Sequence, residues 1–287
     1  MTETTLAVVT ARDQVRRRVE AARLEGKTVG VVMTMGALHE GHFSLIRSCA
    51  AECDLTVTTV FVNPTQFGPG EDFNRYPRNL SQDLESLQGL PVDVVYAPEV
   101  SEVYHPSHST FVAPPQVATP LEGRCRPGHF QGVCTVVLKL LHAVPAHIAY
   151  FGHKDYQQFL VVRQMAEDLD LETRIRVCPT VREPDGLAMS SRNQYLSPDE
   201  RRRSTAIFAA LELAQQLVQE GIRHVAQITT RMRETLHHAG LERLDYLTIA
   251  DPESLEDLRH VDRRAIALIA AYVGANRLID NRLILPR

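Results

Sequence analysis

Residues 28–42 read TVGVVMTMGALHEGH. The first seven are β-branched or apolar almost throughout, the pattern of a short strand buried on both faces. The next eight, MGALHEGH, change character, with glycines at 36 and 41 and histidines at 39 and 42. FSLIRSCAAEC, from Phe43, then carries helical spacing. Strand, glycine-bearing turn and helix in immediate succession open a βαβ unit, and in open α/β sheets ligands sit beyond the carboxyl ends of the strands. Gly36 and Gly41 allow backbone shapes and close approaches that a side chain obstructs. A helix starting near Phe43 offers unsatisfied N–H groups and a positive dipole end, which suit a phosphate. His39 and His42 are then candidate donors to phosphate oxygens as charge develops in phosphoryl or nucleotidyl transfer.

Outward from this turn the alternation continues. LTVTTVFV, from Leu55, reads as a second buried strand, followed by a helix over 80–87 and a third strand in VDVVYAP, from Val92. IAYFG at 148–152, a helix over 155–169 and TRIRVCPT, from Thr173, repeat the pattern. Such alternation predicts a Rossmann-like, doubly wound parallel sheet with right-handed crossovers. Past Val181 the character shifts to a polar, turn-rich stretch at 182–200. Helical patterns follow over 199–220 and 225–239, the first announced by Ser197-Pro198 with Glu200 three residues after the serine. LDYLTIAD, AIALIAAYVG and NRLIDNRLIL then predict three strands, the last two paired antiparallel. The expected division is 1–181 for the parallel-sheet domain and 182–287 for a smaller C-terminal α+β domain.

Composition narrows the class. The chain has 287 residues, 44% hydrophobic and 23% charged, as in soluble globular proteins, with a net charge of −4 that lacks the basic footprint of a nucleic-acid binder. The run Arg201, Arg202, Arg203 is read as a solvated helix surface. Five scattered cysteines, a first stretch MTETTLAVVTARDQVRRR without the charge order of a secretory signal, and no apolar run near the roughly 20 residues of a membrane helix predict a cytoplasmic protein with reduced thiols.

Rival readings of MGALHEGH fit less well. A zinc-protease motif needs a Glu beside the first His and a second His four positions on. A zinc site from His39, His42, Cys49 and Cys53 has the wrong spacing for the common types. The EGKT at 25–28 ends like a P-loop, but Ala21 stands where its first glycine belongs. Further polar stretches complete an inventory suited to phosphate. Asn63 and Gln66 follow the second strand and offer amides to a small polar substrate. Arg124, Arg126 and His129 lie at a helix start, Lys154 and Asp155 at a strand end, and two hydroxyls with Arg192 in MSSRN.

Six stretches, MGALHEGH, FVNPTQF, RYPRNL, RPGHFQGV, YFGHKDYQQ and MSSRN, occur in an order that resembles the pantothenate synthetases, ligases joining pantoate to β-alanine. The first is similar to the His-x-Gly-His signature of nucleotidyltransferases, and MSSRN to their mobile Lys-Met-Ser-Lys-Ser loop. The resemblance implies ATP as a substrate, Mg²⁺ as cofactor, pantoyl adenylate as intermediate, a C-terminal domain acting as a lid, and a homodimer. It implies that Met35, Gly36, Ala37 and Leu38, with His39, Glu40, Gly41 and His42, line ATP, His42 acting as proton donor. Gly152, His153, Lys154 and Asp155 match nucleotide contacts, as do Val181, Met189, Ser190, Ser191 and Arg192. Lys154 and Arg192 join His39 and His42 as catalytic groups. Gln66 and Gln158 match the pantoate positions, Gln66 also that of β-alanine, with Asn63 beside them, and Asp83 matches the Mg²⁺ ligand. His153 stands where that family usually has Glu, and Thr65 where it usually has Met. Another nucleotidyltransferase with the same signature, adenylyl- or cytidylyl-transferring, or a nucleotide-binding regulator without turnover, is the alternative to be tested.

Overall fold

The computed structural model describes residues 6–286; residues 1–5, where the N-terminal stretch read above begins, lie outside them. Two compact units emerge. One comprises the described residues up to Ala118 with Arg126–His153 and Gln158–Pro179; the other comprises Thr119–Cys125, Lys154–Gln157 and the chain from Thr180 onward.

The first unit is built on six parallel strands: β1 (Ala7–Val9), β2 (Val29–Thr34), β3 (Leu55–Val60), β4 (Val94–Tyr96), β5 (Ile148–Gly152) and β6 (Arg174–Cys178), in the order β1-β4-β3-β2-β5-β6. Chain order runs outward from β2 in one direction through β3 and β4, and in the other through β5 and β6. The switch point therefore falls between β2 and β5, which pair in parallel from Gly30 with Ile148 to Val32 with Tyr150. In chain order α1 (Arg12–Leu24), α2 (Glu40–Glu52), α3 (Leu80–Ser86), the single turn α4 (Val100–Val103), α6 (His129–Ala143) and α7 (Tyr156–Asp168) interleave with these strands, while the single turn α5 (Glu122–Cys125) belongs to the second unit.

Strand alternation divides the interior into two layers. Val29 and Val31 of β2, Val94 and Tyr96 of β4, and Ala149 and Phe151 of β5 pack with Val15 and Val19 of α1, Val133 and Val137 of α6, and Val161 and Met165 of α7. Their neighbours Val32, Val95, Ile148 and Tyr150 face the other way, onto Leu45, Ile46 and Cys49 of α2 and Leu87 after α3. Both faces of the strands are covered, which is why their sequences are continuously apolar rather than alternating. The doubly wound α/β class expected from the sequence is the one observed. β1, a three-residue edge strand, and α1 are not among the elements expected from the sequence, and of α6 only the start is.

The second unit carries α8 (Pro198–Gln219), α9 (Val225–His238) and an antiparallel sheet of β7 (Leu244–Ala250), β8 (Ala265–Val273) and β9 (Asn276–Ile284), with β8 central. Ile207, Leu211 and Val218 of α8 and Ile228, Met232 and Leu236 of α9 pack on Ile249, Ala267, Ile269 and Leu278 of that sheet. Ser197 caps α8 as its spacing predicts: the Glu200 N–H donates to Ser197 Oγ at 3.3 Å, and the Ser197 N–H to Glu200 Oε2 at 2.8 Å. A buried ionic knot ties α5 into this unit. Arg277 donates to both Glu122 oxygens at 2.9 and 2.6 Å and through Nε to Asp245 at 2.6 Å, while the Tyr246 hydroxyl donates to Glu122 at 2.7 Å. Burial, followed by the adjacent Glu122 charge, pushes the Tyr246 phenol well up from its ordinary range. The Arg201–Arg203 run is only partly the solvated face its composition suggests. Arg202 is exposed and pairs with Asp199, but Arg201 turns inward to Glu183 at 2.5 Å and Asp185 at 2.7 Å.

Candidate active site

At the carboxyl end of β2 the chain makes two residues of left-handed backbone, Gly36 (φ +79°) and Ala37 (φ +51°). A Cβ on Gly36 would stand 2.8 Å from Asp83 Oδ2, so glycine is required there for two reasons. Asp83, on α3 and only 4% exposed, accepts the Ala37 N–H at 3.2 Å on one oxygen and the Leu38 N–H at 2.8 Å on the other. Burial pushes its carboxyl up, and these two N–H groups oppose that shift. Thr34 Oγ1 accepts the Gly36 N–H at 3.2 Å and donates to the Thr59 carbonyl at 2.7 Å, fixing the start of the turn to the neighbouring strand.

α2 begins at Glu40, three residues earlier than expected, so His39 is its N-cap and His42 lies inside its first turn. The two imidazoles close a reciprocal cap. His39 Nδ1 accepts the Gly41 N–H at 3.1 Å and His42 Nδ1 accepts the His39 N–H at 3.3 Å, with ring centroids 4.1 Å apart. A nitrogen that accepts from a backbone N–H carries no proton, which assigns each neutral ring its proton on Nε2. The spacing His-x-Gly-His thus does what Ser-x-x-Glu does at other helices, and it puts the protonated nitrogen of each neutral ring on the side away from the cap. Glu40 is exposed and pairs with Arg47.

Beyond β3 a 3₁₀ turn at Pro64–Gln66 carries the amide pair. Asn63 is 1% exposed. Its Nδ2 donates to Gln66 Oε1 at 3.1 Å and to the Gly132 carbonyl at 3.2 Å, and its Oδ1 accepts from the Thr65 and Tyr104 hydroxyls. In the structure, therefore, Asn63 orients Gln66. Gln66 Nε2 in turn reaches Met35 Sδ at 2.9 Å, joining the amide pair to the turn after β2. The approach of the 3₁₀ turn to α6 depends on Gly132, where a Cβ would stand 2.3 Å from the Thr65 carbonyl oxygen.

The sequence places Arg126 and His129 at a helix start, and the structure joins them to Gln66 in a relay. His129 Nδ1 lies 2.8 Å from the Gln66 carbonyl and its Nε2 lies 3.1 Å from Arg126 Nη1. A carbonyl only accepts and a guanidinium only donates, so His129 carries its proton on Nδ1. Arg126 is held by Glu71 through two bonds of 2.7 Å. Burial works to raise the Glu71 carboxyl, but the guanidinium overrides it and holds the group below the ordinary glutamate range. Gly152 and His153 sit at the carboxyl end of β5, next to β2, while Gln158 is half-buried on α7.

The second unit holds the remaining candidates. Lys154 Nζ is 3.2 Å from Asp155 Oδ1. The Val181 carbonyl accepts the Met189 N–H at 3.0 Å, closing a hairpin whose Glu183 accepts from Asn193 Nδ2 at 2.8 Å. Ser190 caps the 3₁₀ turn Ser191–Tyr195 by accepting the Arg192 N–H at 3.3 Å. Gln157, neighbour of Gln158, is occupied structurally: it accepts the Glu122 N–H at 3.0 Å and donates to the Pro120 carbonyl at 2.8 Å.

An open parallel sheet with a glycine-bearing turn and a helix N-terminus at its switch point defines a doubly wound α/β protein of the nucleotide-binding type. Within that class the chain belongs to the pantoate-β-alanine ligase family, whose model matches residues 7–283. It is 47% identical to the pantothenate synthetase of Thermotoga neapolitana over 97% of this chain and 100% of that protein. To that of Roseiflexus sp. (strain RS-1) it is 52% identical, over 92% of this chain and 95% of the other. The crystal structure of the Thermus thermophilus pantothenate synthetase superposes with a TM-score of 0.93 at 42% identity, covering 98% of this chain and 100% of that one. The Francisella tularensis pantoate-β-alanine ligase, solved with β-γ ATP and β-alanine, superposes with a TM-score of 0.81 at 34% identity, covering 97% and 98%.

Proposed function

We propose that this chain condenses pantoate with β-alanine to pantothenate, driven by ATP and releasing AMP and pyrophosphate. A carboxylate is a poor acyl donor because its leaving group is oxide. Attack of a pantoate carboxylate oxygen on the α-phosphorus of ATP expels pyrophosphate and gives pantoyl adenylate. The β-alanine amine then attacks the activated carbonyl, the C–O bond to AMP breaks, and the amine loses its proton to solvent. The observation that carries this reading is the paired imidazole cap at the sheet's switch point, in which both Nδ1 atoms accept backbone N–H groups; the reading assigns the Nε2 protons to phosphate oxygens. The matched family and the ATP- and β-alanine-bound Francisella relative support it.

Within this reading Met35–His42 binds ATP, His42 serves as the proton donor, and Gln66 and Gln158 hold pantoate, with Asn63 fixing Gln66. Lys154, Ser190, Ser191 and Arg192 contact phosphates, with Gly152, His153, Asp155, Val181 and Met189 as further nucleotide contacts. The turn at 189–192 closes over ATP when ATP and pantoate bind, as a lid does. Hydrogen exchange there should slow with both ligands present, and equal exchange counts against closure.

Asp83 is the residue that would hold Mg²⁺. Its carboxylate is a hard oxygen donor beside the turn, and each oxygen keeps lone-pair capacity after accepting one N–H. Among the described residues no three His, Cys, Asp or Glu side chains group as a metal cage, which fits an ion completed by substrate phosphates. When bound, the ion neutralises charge on the polyphosphate. A homodimer in the cytoplasm completes the reading. It is supported by the family's motifs and, for the reducing compartment, by five free thiols.

The deciding experiment is exchange of labelled pyrophosphate into ATP with Mg²⁺ and pantoate but without β-alanine. Pantoate-dependent exchange is expected. No exchange by protein that binds ATP overturns the acyl-adenylate step and points to another acceptor.

A further inference from the structure

Asn281 lies on β9 and is 4% exposed, in a strand whose other buried side chains include Leu278 and Ile284. An apolar residue serves such a position better unless the amide has a partner, because a buried amide without one is destabilising. Its Nδ2 donates to the main-chain carbonyl of Lys154 at 2.8 Å. The strand around it is held by a polar hub. Arg182 donates to both oxygens of the adjacent Asp280 at 2.6 and 3.0 Å, and to the Asn281 carbonyl at 3.4 Å. The Asn281 N–H donates to Asp280 Oδ1 at 2.8 Å. The Arg182 guanidinium also stacks on Phe208, 4.3 Å from the ring centre, and donates to the Gly186 carbonyl at 3.0 Å. Arg182 itself bridges to Ala188 in the hairpin that leads to Met189.

Two separate stretches of proposed phosphate contacts therefore take their backbone positions from one buried hub. The 189–192 turn is anchored through Arg182, and Lys154 through Asn281. From this geometry we infer that Asn281 is a positioning residue for Lys154. By fixing the Lys154 carbonyl it sets the point from which the ammonium group reaches a phosphate, and misplacement by about 1 Å at such a group lowers rates by up to roughly 10²-fold. The inference rests on the reading of Lys154 as a phosphate contact.

The test compares Lys154→Ala, Asn281→Ala, the isosteric Asn281→Asp and the double variant Lys154→Ala/Asn281→Ala in the full-length protein. Pantoate-dependent pyrophosphate exchange and the KM for β-alanine are measured on each. Asn281→Ala is expected to lower the exchange rate about 10- to 100-fold while the KM for β-alanine stays at its wild-type value. Asn281→Asp, which keeps the shape but presents an acceptor to the Lys154 carbonyl, should match it. The double variant should be no slower than Lys154→Ala alone, because a residue that acts through Lys154 has nothing left to position. Multiplicative losses, or wild-type exchange in the Asn281 variants beside an impaired Lys154→Ala, overturn the positioning role and leave the reading of Lys154 standing. Wild-type exchange in Lys154→Ala removes that reading and the inference with it. Should Asn281→Ala fail to fold, Asn281→Asp decides by the same criteria.

Discussion

The helices α2 and α8 begin with the same device made from different residues. At α8 a serine and a glutamate exchange hydrogen bonds with each other's backbone, and at α2 two histidines close a like cap, His42 accepting the His39 N–H and His39 the Gly41 N–H. Both satisfy N–H groups that a helix start otherwise leaves open. The Ser197–Glu200 cap spends its side chains on the helix alone. In the His39–His42 cap each ring uses one nitrogen for the helix and carries its proton on the opposite one. The glycine between the histidines and the Asp83 clamp on Ala37 and Leu38 hold this second cap in place. One cap serves stability alone, whereas in the proposed reading the other serves both stability and ligand chemistry from the same side chains.

The sharpest way to break the comparison is to transplant one cap onto the other helix. His39→Ser with His42→Glu rebuilds the α8 arrangement at α2. Melting is expected to stay near wild type, while pantoate-dependent exchange falls by roughly 10³-fold or more, since each lost donor is worth about 10²–10³ and a carboxylate now faces phosphate. Retained exchange would mean the rings act only as caps. Next in size, His42→Ala should lower single-turnover adenylate formation at least about 10²-fold with the fold intact by circular dichroism; an unchanged rate removes its role. In contrast, Ser197→Ala should lower stability by about 1 kcal/mol in urea unfolding and leave exchange untouched.

The smallest effect concerns how α8 reaches back to the 182–193 stretch. Asp185 sits below the ordinary aspartate range chiefly because Arg201 hydrogen-bonds it. A depressed folded-state value contributes stability above the unfolded value and loses it as pH falls through the folded one. Asp185 is half exposed, so solvent screening keeps the contribution under about 1 kcal/mol. Asp185→Asn should therefore be slightly less stable than wild type at neutral pH, with the gap closing in acid. A gap that persists once wild-type Asp185 is protonated would assign the effect to packing.

The comparison also marks what the sequence made legible. Ser197-Pro198 with Glu200 is a recognised helix start, and α8 begins there. His39 follows no familiar capping rule, so α2 was expected at Phe43 and found at Glu40. The central strands were legible because burial on both faces forces unbroken apolar runs, whereas β1, three residues at a sheet edge, carries too little pattern. Partnerships between distant residues stayed hidden: Glu71 meets Arg126 across 55 positions, and Arg201 looked solvated because Glu183 and Asp185 precede its helix. Asn63 and Gln66 were legible as polar residues beyond a strand, but only the structure shows that the first orients the second.

The Glu122–Arg277 pair bears on how the chain is made. Its members lie 155 positions apart, and the arginine belongs to the final strand. At about 5–20 residues per second, the ribosome leaves Glu122 waiting roughly 8–30 s for its partner. Until then α5 lacks the guanidinium that pairs with its carboxylate, so the nascent chain carries an unclosed latch that only the last hairpin shuts.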